Sequence, residues 1–228
     1  NNLGFGRIFT DYMLVMEYAD EKWGQMRIEP YDALRMDPAS MVLHYGQAIF
    51  EGLKAYKRPD GQIGLFRAKD NFARFNRSAD RLCIPKIDEA AALEGLKELI
   101  RLEKDWVPSS EGTSLYIRPF AVCTDPFLGV AVGKQYTFMI ILSPVGAYYP
   151  QGLKPVDILI ENEYVRAVRG GMGFAKAAGN YAVSLIADHE AKKRGCAQVL
   201  WLDGVERKYI EEVGSMNIFF NIDGELIT

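Results

Sequence analysis

A lysine among glycine and small residues is the part of this sequence with the clearest capacity for chemistry. Lys176 lies in the segment Gly170-Gly-Met-Gly-Phe-Ala-Lys-Ala-Ala-Gly-Asn-Tyr181. Lysine normally prefers solvent. In apolar surroundings it can instead act as a neutral nucleophile that forms a Schiff base with a carbonyl group. The segment therefore predicts an enzyme with a carbonyl cofactor, although by itself it also fits a surface lysine after a flexible turn.

Two other glycine-lysine motifs do not fit this segment. Gly171-x-Gly173 lacks the third glycine of a dinucleotide-binding fingerprint. Lys176 is followed by Ala177, where a P-loop needs serine or threonine. Neither a dinucleotide site nor a P-loop is predicted.

The composition excludes several classes of partner. The chain has 228 residues and a net charge of −3 without a lysine-arginine block, which argues against nucleic acid and anionic membranes. Apolar runs such as Phe138–Leu142 are too short to span a bilayer. The first residues do not resemble a signal peptide, so we expect a cytoplasmic protein.

Cysteine and histidine do not predict a metal site. Cys83, Cys123 and Cys196 are an odd number in unrelated contexts, which favours reduced thiols. His44 and His189 lie far apart and lack ligand partners at zinc spacing.

The elements that position Lys176 are predicted as a mixture of strands and helices. Apolar periodicity indicates helices over residues 69–82, 88–104 and 181–194, the last ending at Gly195. β-branched and aromatic residues indicate strands over 12–18, 25–30, 114–122, 135–142, 156–161, 198–202 and 216–220. An Asp-Gly turn predicts a final β-hairpin ending at Thr228.

Motifs along most of the chain resemble one enzyme family, the branched-chain amino acid aminotransferases, which are pyridoxal-phosphate (PLP) enzymes of fold type IV. The matching blocks are Leu43–Tyr56, Leu65–Arg67, Asn71–Pro85, Tyr116–Pro119, Gly171–Tyr181, Gln198–Asp203 and Glu211–Asn217. They occur in family order and with near-family spacing.

The resemblance implies an α/β (α+β) fold in two domains. Residues 1–147 would form a small N-terminal α/β domain, 148–151 a linker, and 152–228 the first part of a larger β-rich PLP-binding domain. Family members continue beyond the position of Thr228, so we expect this chain to be C-terminally incomplete and to bind PLP poorly when isolated. Family members are homodimers or larger homo-oligomers.

The resemblance also implies roles for individual residues. Lys176 matches the lysine that binds PLP covalently and moves a proton during the reaction. Glu212 matches the carboxylate beneath the pyridine nitrogen, with Glu211 as a neighbouring alternative. Tyr181 matches the tyrosine that hydrogen-bonds the phenolic oxygen of PLP.

Phosphate contacts are implied by an arginine and a serine. Arg74 matches the arginine that binds the PLP phosphate, since guanidinium offers two charge-assisted donors at once. Arg77 and Arg81 continue the same stripe, which by itself is typical of a solvated helix face. Ser215 stands where threonine is common in the family, and either hydroxyl can donate to phosphate.

A set of mostly apolar and aromatic positions matches the substrate pocket of the family. These residues are Phe50, Tyr45, Tyr116, Arg118, Val130 and Tyr148. Such a pocket favours leucine, isoleucine and valine. Arg118 is implied either to bind the γ-carboxylate of glutamate or to organise a tyrosine. For each of the other residues, Val130 included, ordinary core packing is the alternative.

The predicted reaction moves an amino group between a branched-chain amino acid and 2-oxoglutarate, giving a branched 2-oxo acid and glutamate. A D-amino acid aminotransferase or an aminodeoxychorismate lyase of the same fold is an alternative. A non-catalytic PLP-binding or interaction protein is another, which the joint presence of Lys176, Tyr181, Arg74 and Glu212 disfavours.

Overall fold

The computed structural model describes residues 3–147, 152 and 154–228. The chain divides into two compact units. The first comprises Asn1–Gly152 together with Ala175–Ala178, and the second comprises Leu153–Phe174 together with Gly179–Thr228. Lys176 therefore belongs to the first unit. The predicted linker, residues 148–151, lies outside the described residues.

An antiparallel sheet forms the framework of the first unit. Its strands are β1 (Tyr12–Ala19), β2 (Lys22–Trp23), β3 (Arg27–Pro30), β4 (Ala48–Phe50), β5 (Leu53–Lys57), β6 (Ile63–Leu65), β7 (Ser114–Cys123) and β8 (Tyr136–Val145). The order is β2-β1-β8-β7-β5-β6, with β3 also paired to β1 and β4 to β7. The longest ladder joins β7 and β8, from the pair Ser114–Val145 to the pair Cys123–Tyr136.

The first unit contains the helices α1 (Met41–Tyr45), α2 (Ala68–Arg81) and α3 (Glu89–Leu102), followed by a 3-10 turn at Lys104–Trp106. Of these, α2 and α3 pack against one face of the sheet. Asp88 begins α3 by accepting hydrogen bonds from Ala90 N and Ala91 N. Phe75 of α2 packs edge-on against Phe138 of β8, with ring centroids 5.4 Å apart. The helices thus bury one of the two side-chain sets that alternate along each strand.

The other face of the sheet carries several polar and aromatic side chains that the sequence predicts for the substrate pocket. Along β7, Leu115 and Ile117 are fully buried, whereas the alternate residues Tyr116 and Arg118 are partly exposed. Phe50 of β4 is paired with Phe120, so its side chain lies on the same face as Tyr116 and Arg118. Strand alternation therefore gathers these three predicted pocket residues.

The second unit combines short strands with short helices. Its strands are β9 (Ile158–Glu161), β10 (Gln198–Leu202), β11 (Ile210–Val213), β12 (Phe220–Ile222) and β13 (Glu225–Ile227). β10 lies between a parallel β9 and an antiparallel β11. The helices are α4 (Ala178–Ala182), which starts at the last residue of the first unit, and α5 (Leu185–Lys193). Trp201 is buried against Ala187 and Ala191 of α5.

The C-terminal hairpin confirms the Asp-Gly turn. β12 pairs with β13 from Phe220–Ile227 to Ile222–Glu225. Asp223 and Gly224 connect them with φ angles of 53° and 85°. Two adjacent positive φ angles define the type I′ turn that Asp-Gly favours.

Several predicted boundaries were wrong. The helix predicted over 181–194 begins at 178 and is interrupted between α4 and α5, where Ser184 Oγ donates to Tyr181 O. This side-chain bond competes with continuous helix geometry. The strand predicted over 216–220 includes only Phe220, because the chain turns at Val213–Met216. The strand predicted over 25–30 begins at Arg27.

Candidate functional site

The backbone of Lys176 is fixed between β4 and α2. Ala177 forms an antiparallel bridge with Ile49, and Phe50 N donates to Lys176 O at 3.0 Å. On the other side, Lys176 N donates to Ser78 Oγ at 2.8 Å. Ala175 and Ala177 are buried, which explains why small residues flank the lysine. Ala175–Ala178 are therefore packed into the first unit, and Lys176 does not lie in an isolated surface turn.

The side chain of Lys176 lies at an aromatic ring. Its Nζ is 4.9 Å from the centroid of the Phe50 ring. The guanidinium carbon of Arg118 is 4.5 Å from the same centroid. A cation over an aromatic face is attracted by the electrons of the ring. Phe50 thus holds two cationic groups on the face of the sheet that lies opposite α2 and α3.

Arg118 is also bound to Tyr116. Arg118 Nη2 donates to the Tyr116 hydroxyl at 2.8 Å, and the guanidinium lies 5.3 Å from the centroid of that ring. Arg118 Nε is buried without a hydrogen-bond partner among the described residues. Gly52 leaves room for this pair, because a Cβ there would lie 2.4 Å from the Tyr116 hydroxyl. Arg118 and Tyr116 are therefore bound to each other, and the two roles predicted for Arg118 both stay predictions.

Arg74 is held by a buried carboxylate. Glu51 is fully buried, whereas the Arg74 side chain is 45% exposed. Arg74 Nε donates to Glu51 Oε1 at 2.6 Å, and Arg74 Nη2 donates to Glu51 Oε2 at 2.8 Å. Asn71 Nδ2 adds a third hydrogen bond to Oε2 at 2.9 Å. The predicted phosphate-binding arginine is thus fixed in orientation by its neighbours.

One face of α2 connects these two parts of the site. Asn71, Arg74 and Ser78 are spaced by three and four residues, so they share a helix face. Asn71 and Arg74 bind Glu51, and Ser78 binds the backbone of Lys176. Sequence reasoning did not assign roles to Glu51, Asn71 or Ser78. Two sequence features could have pointed to them. One is a charged residue inside the Phe50-Glu51-Gly52 block, and the other is a set of polar residues at helical spacing.

The second unit carries the predicted acidic residue, Glu212, on β11. Glu212 Oε2 forms an ion pair with Arg166 Nε at 2.6 Å, and both side chains are mostly buried. The neighbouring Glu211 is exposed. Arg166 is a partner that sequence reasoning did not identify.

The other predicted cofactor residues of this unit lie near its turns. Tyr181 is partly buried in α4, and its carbonyl accepts from the Ser184 hydroxyl at 2.8 Å. Ser215 is exposed and follows Gly214, whose φ is +55°. The roles of Tyr181, Glu212 and Ser215 stay predictions from their motif positions.

The remaining predicted pocket residues are more exposed. Tyr45 donates its hydroxyl to Leu128 O and is 42% exposed. Val130 is 86% exposed. Tyr148 lies outside the described residues. The substrate roles of these three residues stay predictions.

A metal site is lacking among the residues that the structure describes. No cluster of three or more His, Cys, Asp or Glu side chains is arranged to hold a metal ion there. None of the helices there combines the length and the apolar character needed to cross a membrane. Cys83, Cys123 and Cys196 are free thiols.

The donors of the first unit suit a ligand with a carbonyl group and a phosphate. Lys176 supplies the amine that a carbonyl requires, and its backbone is anchored on both sides. Arg74 supplies a charged, oriented donor, which a phosphate requires. Ser78, one turn after Arg74 on α2, links the two. The residues present therefore fit PLP.

A family model agrees with this chemistry. The model for amino-transferase class IV matches residues 48–228. The match covers Phe50, Arg74, Lys176 and Glu212.

Curated relatives are similar over the whole chain. The sequence is 62% identical over 229 residues to branched-chain-amino-acid aminotransferase 2 of Bacillus subtilis (strain 168). It is 59% identical over 230 residues to branched-chain-amino-acid transaminase 1 of the same organism. Each alignment covers 100% of this chain but 63% and 65%, respectively, of the relative. The chain thus spans less than two thirds of the length of these relatives.

Solved structures are similar in fold. The T.th. branched-chain amino acid aminotransferase with pyridoxamine 5'-phosphate has a TM-score of 0.75 and 30% identity, and the match covers 93% of this chain and 66% of that one. The branched-chain amino acid aminotransferase of Escherichia coli has a TM-score of 0.77 and 26% identity, with 95% and 67% covered.

Proposed function

Because the chain belongs to the class IV aminotransferases, we propose that the full-length protein transfers amino groups between branched-chain amino acids and 2-oxoglutarate. L-leucine, L-isoleucine or L-valine gives the corresponding 2-oxo acid, and 2-oxoglutarate gives glutamate. The observation that carries the proposal is the position of Lys176, anchored between Ser78 and Phe50 with its amine at an aromatic ring. The names of the two Bacillus relatives support the choice of substrate.

The proposed cofactor is PLP. The chemistry that it supplies when bound is uptake of the electron pair released at the substrate Cα. Lys176 Nζ would bind the cofactor's carbonyl carbon and later carry a proton from the substrate Cα, which needs an amine at short range. Arg74 would bind the phosphate through charge-assisted hydrogen bonds.

Residues of the second unit complete the proposed set of cofactor contacts. Glu212 would keep the pyridine nitrogen protonated, Tyr181 would donate to the phenolic oxygen, and Ser215 would donate to the phosphate. Their support is the motif position of each residue, together with the pyridoxamine 5'-phosphate named for the T.th. structure.

The face of the first-unit sheet that lies opposite α2 and α3 would supply part of the substrate site. Phe50 and Tyr116 offer apolar ring surface to a branched side chain, and such surface discriminates by about 1 to 3 kcal/mol per methylene. Arg118 offers a positive charge to a carboxylate, beside the hydroxyl of Tyr116. Tyr45, Val130 and Tyr148 are proposed as further pocket residues from their motif positions.

We also propose a homodimer or larger homo-oligomer in the cytoplasm. Large exposed apolar side chains often mark protein interfaces. Such side chains cluster in one loop of the first unit at Phe127, Leu128, Val130 and Val132. Free cysteines suit a reducing compartment. Light scattering on the full-length protein measures the oligomer, and a monomeric mass would refute it.

A comparison of two amino donors tests the proposed substrate class. Full-length protein is supplied with PLP, 2-oxoglutarate and either L-leucine or D-alanine, and glutamate formation is measured. We expect turnover with L-leucine to exceed turnover with D-alanine by at least about a hundredfold, since inversion at Cα misplaces the reacting hydrogen. Faster turnover of D-alanine would refute the proposed substrate.

A further inference from the structure

The buried carboxylate of Glu51 has more partners than a structural ion pair needs. It is fully buried and accepts from Arg74 Nε, Arg74 Nη2 and Asn71 Nδ2. Gly52 N donates to the same Oε2 at 3.2 Å. Its own backbone N donates to Pro119 O at 2.7 Å, which fixes it to β7. Burying a carboxylate is costly, so an arrangement with this many donors holds both the charge and its partner in one orientation.

The geometry of the pair selects one edge of the Arg74 guanidinium. Bonding through Nε and Nη2 is side-on, so the carboxylate lies along the edge next to the aliphatic stem. The far end of the guanidinium group carries a different pair of donors, an N–H of Nη1 and the second N–H of Nη2. We call this pair the end edge. Rotation of the planar group about its stem would break both bonds to Glu51. The direction of the end edge is therefore set by the carboxylate.

The negative charge of Glu51, taken by itself, should weaken the binding of an anionic ligand. A negative carboxylate next to Arg74 repels a phosphate and partly neutralises the arginine. If Glu51 acted only through its charge, removing that charge would strengthen phosphate binding. If it acts by orienting Arg74, removing it would weaken phosphate binding. The two effects differ in sign, which makes them separable.

We propose that Glu51 is a positioning residue that aims the end edge of Arg74 at the phosphate of the cofactor, with Asn71 holding the carboxylate in place. This inference rests on the proposed function, because it takes PLP as the ligand. It assigns to Glu51 a role in cofactor affinity that acts through Arg74 and not through direct contact with the cofactor.

The test compares PLP with pyridoxal, which lacks the phosphate. Full-length apo-protein is titrated with each compound, and the dissociation constants are measured from the absorbance of the bound form. The quantity of interest is the preference for PLP over pyridoxal. Structural damage weakens both compounds alike, whereas loss of phosphate positioning lowers the preference.

Glu51→Gln keeps the shape of the side chain but places an amide N–H against an arginine N–H, so one of the two bonds is lost. We expect the preference for PLP to fall about tenfold, while pyridoxal affinity changes by less than about twofold. Glu98→Gln is the matched control, since Glu98 forms an exposed pair with Arg101 on α3. Its preference should equal that of the wild type.

A double variant tests whether Glu51 acts through Arg74. In an Arg74→Ala background the preference is already low, and adding Glu51→Gln should not lower it further. Asn71→Ala removes one hydrogen-bond donor to Glu51 without altering the Glu51–Arg74 ion pair. It can therefore replace Glu51→Gln in the test if that variant does not fold. We expect it to lower the preference by about threefold.

Three results would overturn the inference. They are an unchanged preference in both Glu51→Gln and Asn71→Ala, a raised preference in Glu51→Gln, and an additive effect in the Arg74→Ala background. Failure of the wild-type protein to bind PLP at all would refute the proposed function, and the inference with it. Normal PLP binding by the wild type with an unchanged preference in the variants would refute the inference alone.

Discussion

The backbone amide of Lys176 donates a 2.8 Å hydrogen bond to the hydroxyl of Ser78, although 98 positions separate the two residues. Ser78 is buried on α2, so its hydroxyl is shielded from water. The bond anchors the lysine segment to the helix that also carries Arg74. This contact makes the position of Lys176 depend on α2.

Replacing Ser78 with alanine should affect both stability and turnover. Ser78→Ala leaves a backbone N–H without its acceptor, which we expect to lower the free energy of unfolding by about 1 to 2 kcal/mol. Because the lysine segment loses an anchor, kcat should fall while KM for L-leucine changes little. Urea unfolding and steady-state kinetics of the full-length protein measure these effects. Ser109→Ala, at an exposed position, is the control; equal behaviour of the two variants would contradict the anchoring role.

Gly52 is required by the hydroxyl of Tyr116. In Gly52→Ala the new Cβ would lie 2.4 Å from that hydroxyl and 3.2 Å from Cζ, so the ring must move and its bond with Arg118 must break. We expect the free energy of unfolding to fall by about 1 to 3 kcal/mol. The measurement is denaturant unfolding of the full-length protein.

A second substitution tests the cause of that loss. Tyr116→Phe removes the atom that the new Cβ would meet first, so Gly52→Ala should cost less in a Tyr116→Phe background than in the wild type. An equal cost in both backgrounds would show that the clash with the hydroxyl is not responsible.

The raised pKa of Tyr136 predicts that the free energy of unfolding falls at alkaline pH. Burial is the main cause that raises the pKa of Tyr136 to about 12 from the ordinary value of 10.0, and the Cys123 charge adds to it. The unfolded chain loses this proton near pH 10, but the folded chain keeps it up to about pH 12. The stabilisation of the folded state by the neutral phenol is therefore complete below pH 10.0 and is lost as pH rises towards about 12.

Tyr136→Phe isolates this contribution, because phenylalanine does not titrate. The stability advantage of wild type over variant should shrink by about 2 kcal/mol between about pH 9 and about pH 12. Urea unfolding at a series of pH values measures the difference. A difference that is independent of pH would contradict the assigned cause.

Sequence patterns predicted the elements whose stabilising contacts are local. The α3 helix has an acidic cap at Asp88 and a regular apolar face, and the final hairpin has an Asp-Gly turn. Periodicity and turn chemistry both report such local interactions. The break between α4 and α5 was missed because it depends on one side-chain bond of Ser184, which periodicity does not register.

The site was only partly predictable for a similar reason. Lys176 and Arg74 were predicted as site residues from motifs, and the structure shows which neighbours hold them. Glu51 and Ser78 act through contacts between segments far apart in the chain, and residue spacing cannot give such pairs. The sequence feature that could have pointed to Glu51 was a charged residue between two strands, since a buried charge needs a partner. The Arg166 partner of Glu212 had no comparable signal.

The proposed role of Lys176 is tested most directly by transamination with full-length Lys176→Ala, supplied with PLP, L-leucine and 2-oxoglutarate. Lys69→Ala, an exposed lysine on α2, is the matched control. Without the amine of Lys176, we expect kcat to fall by at least about a thousandfold and the absorbance band of covalently bound PLP to disappear. The control should keep both. Wild-type turnover in Lys176→Ala would show that transamination does not need the amine of Lys176.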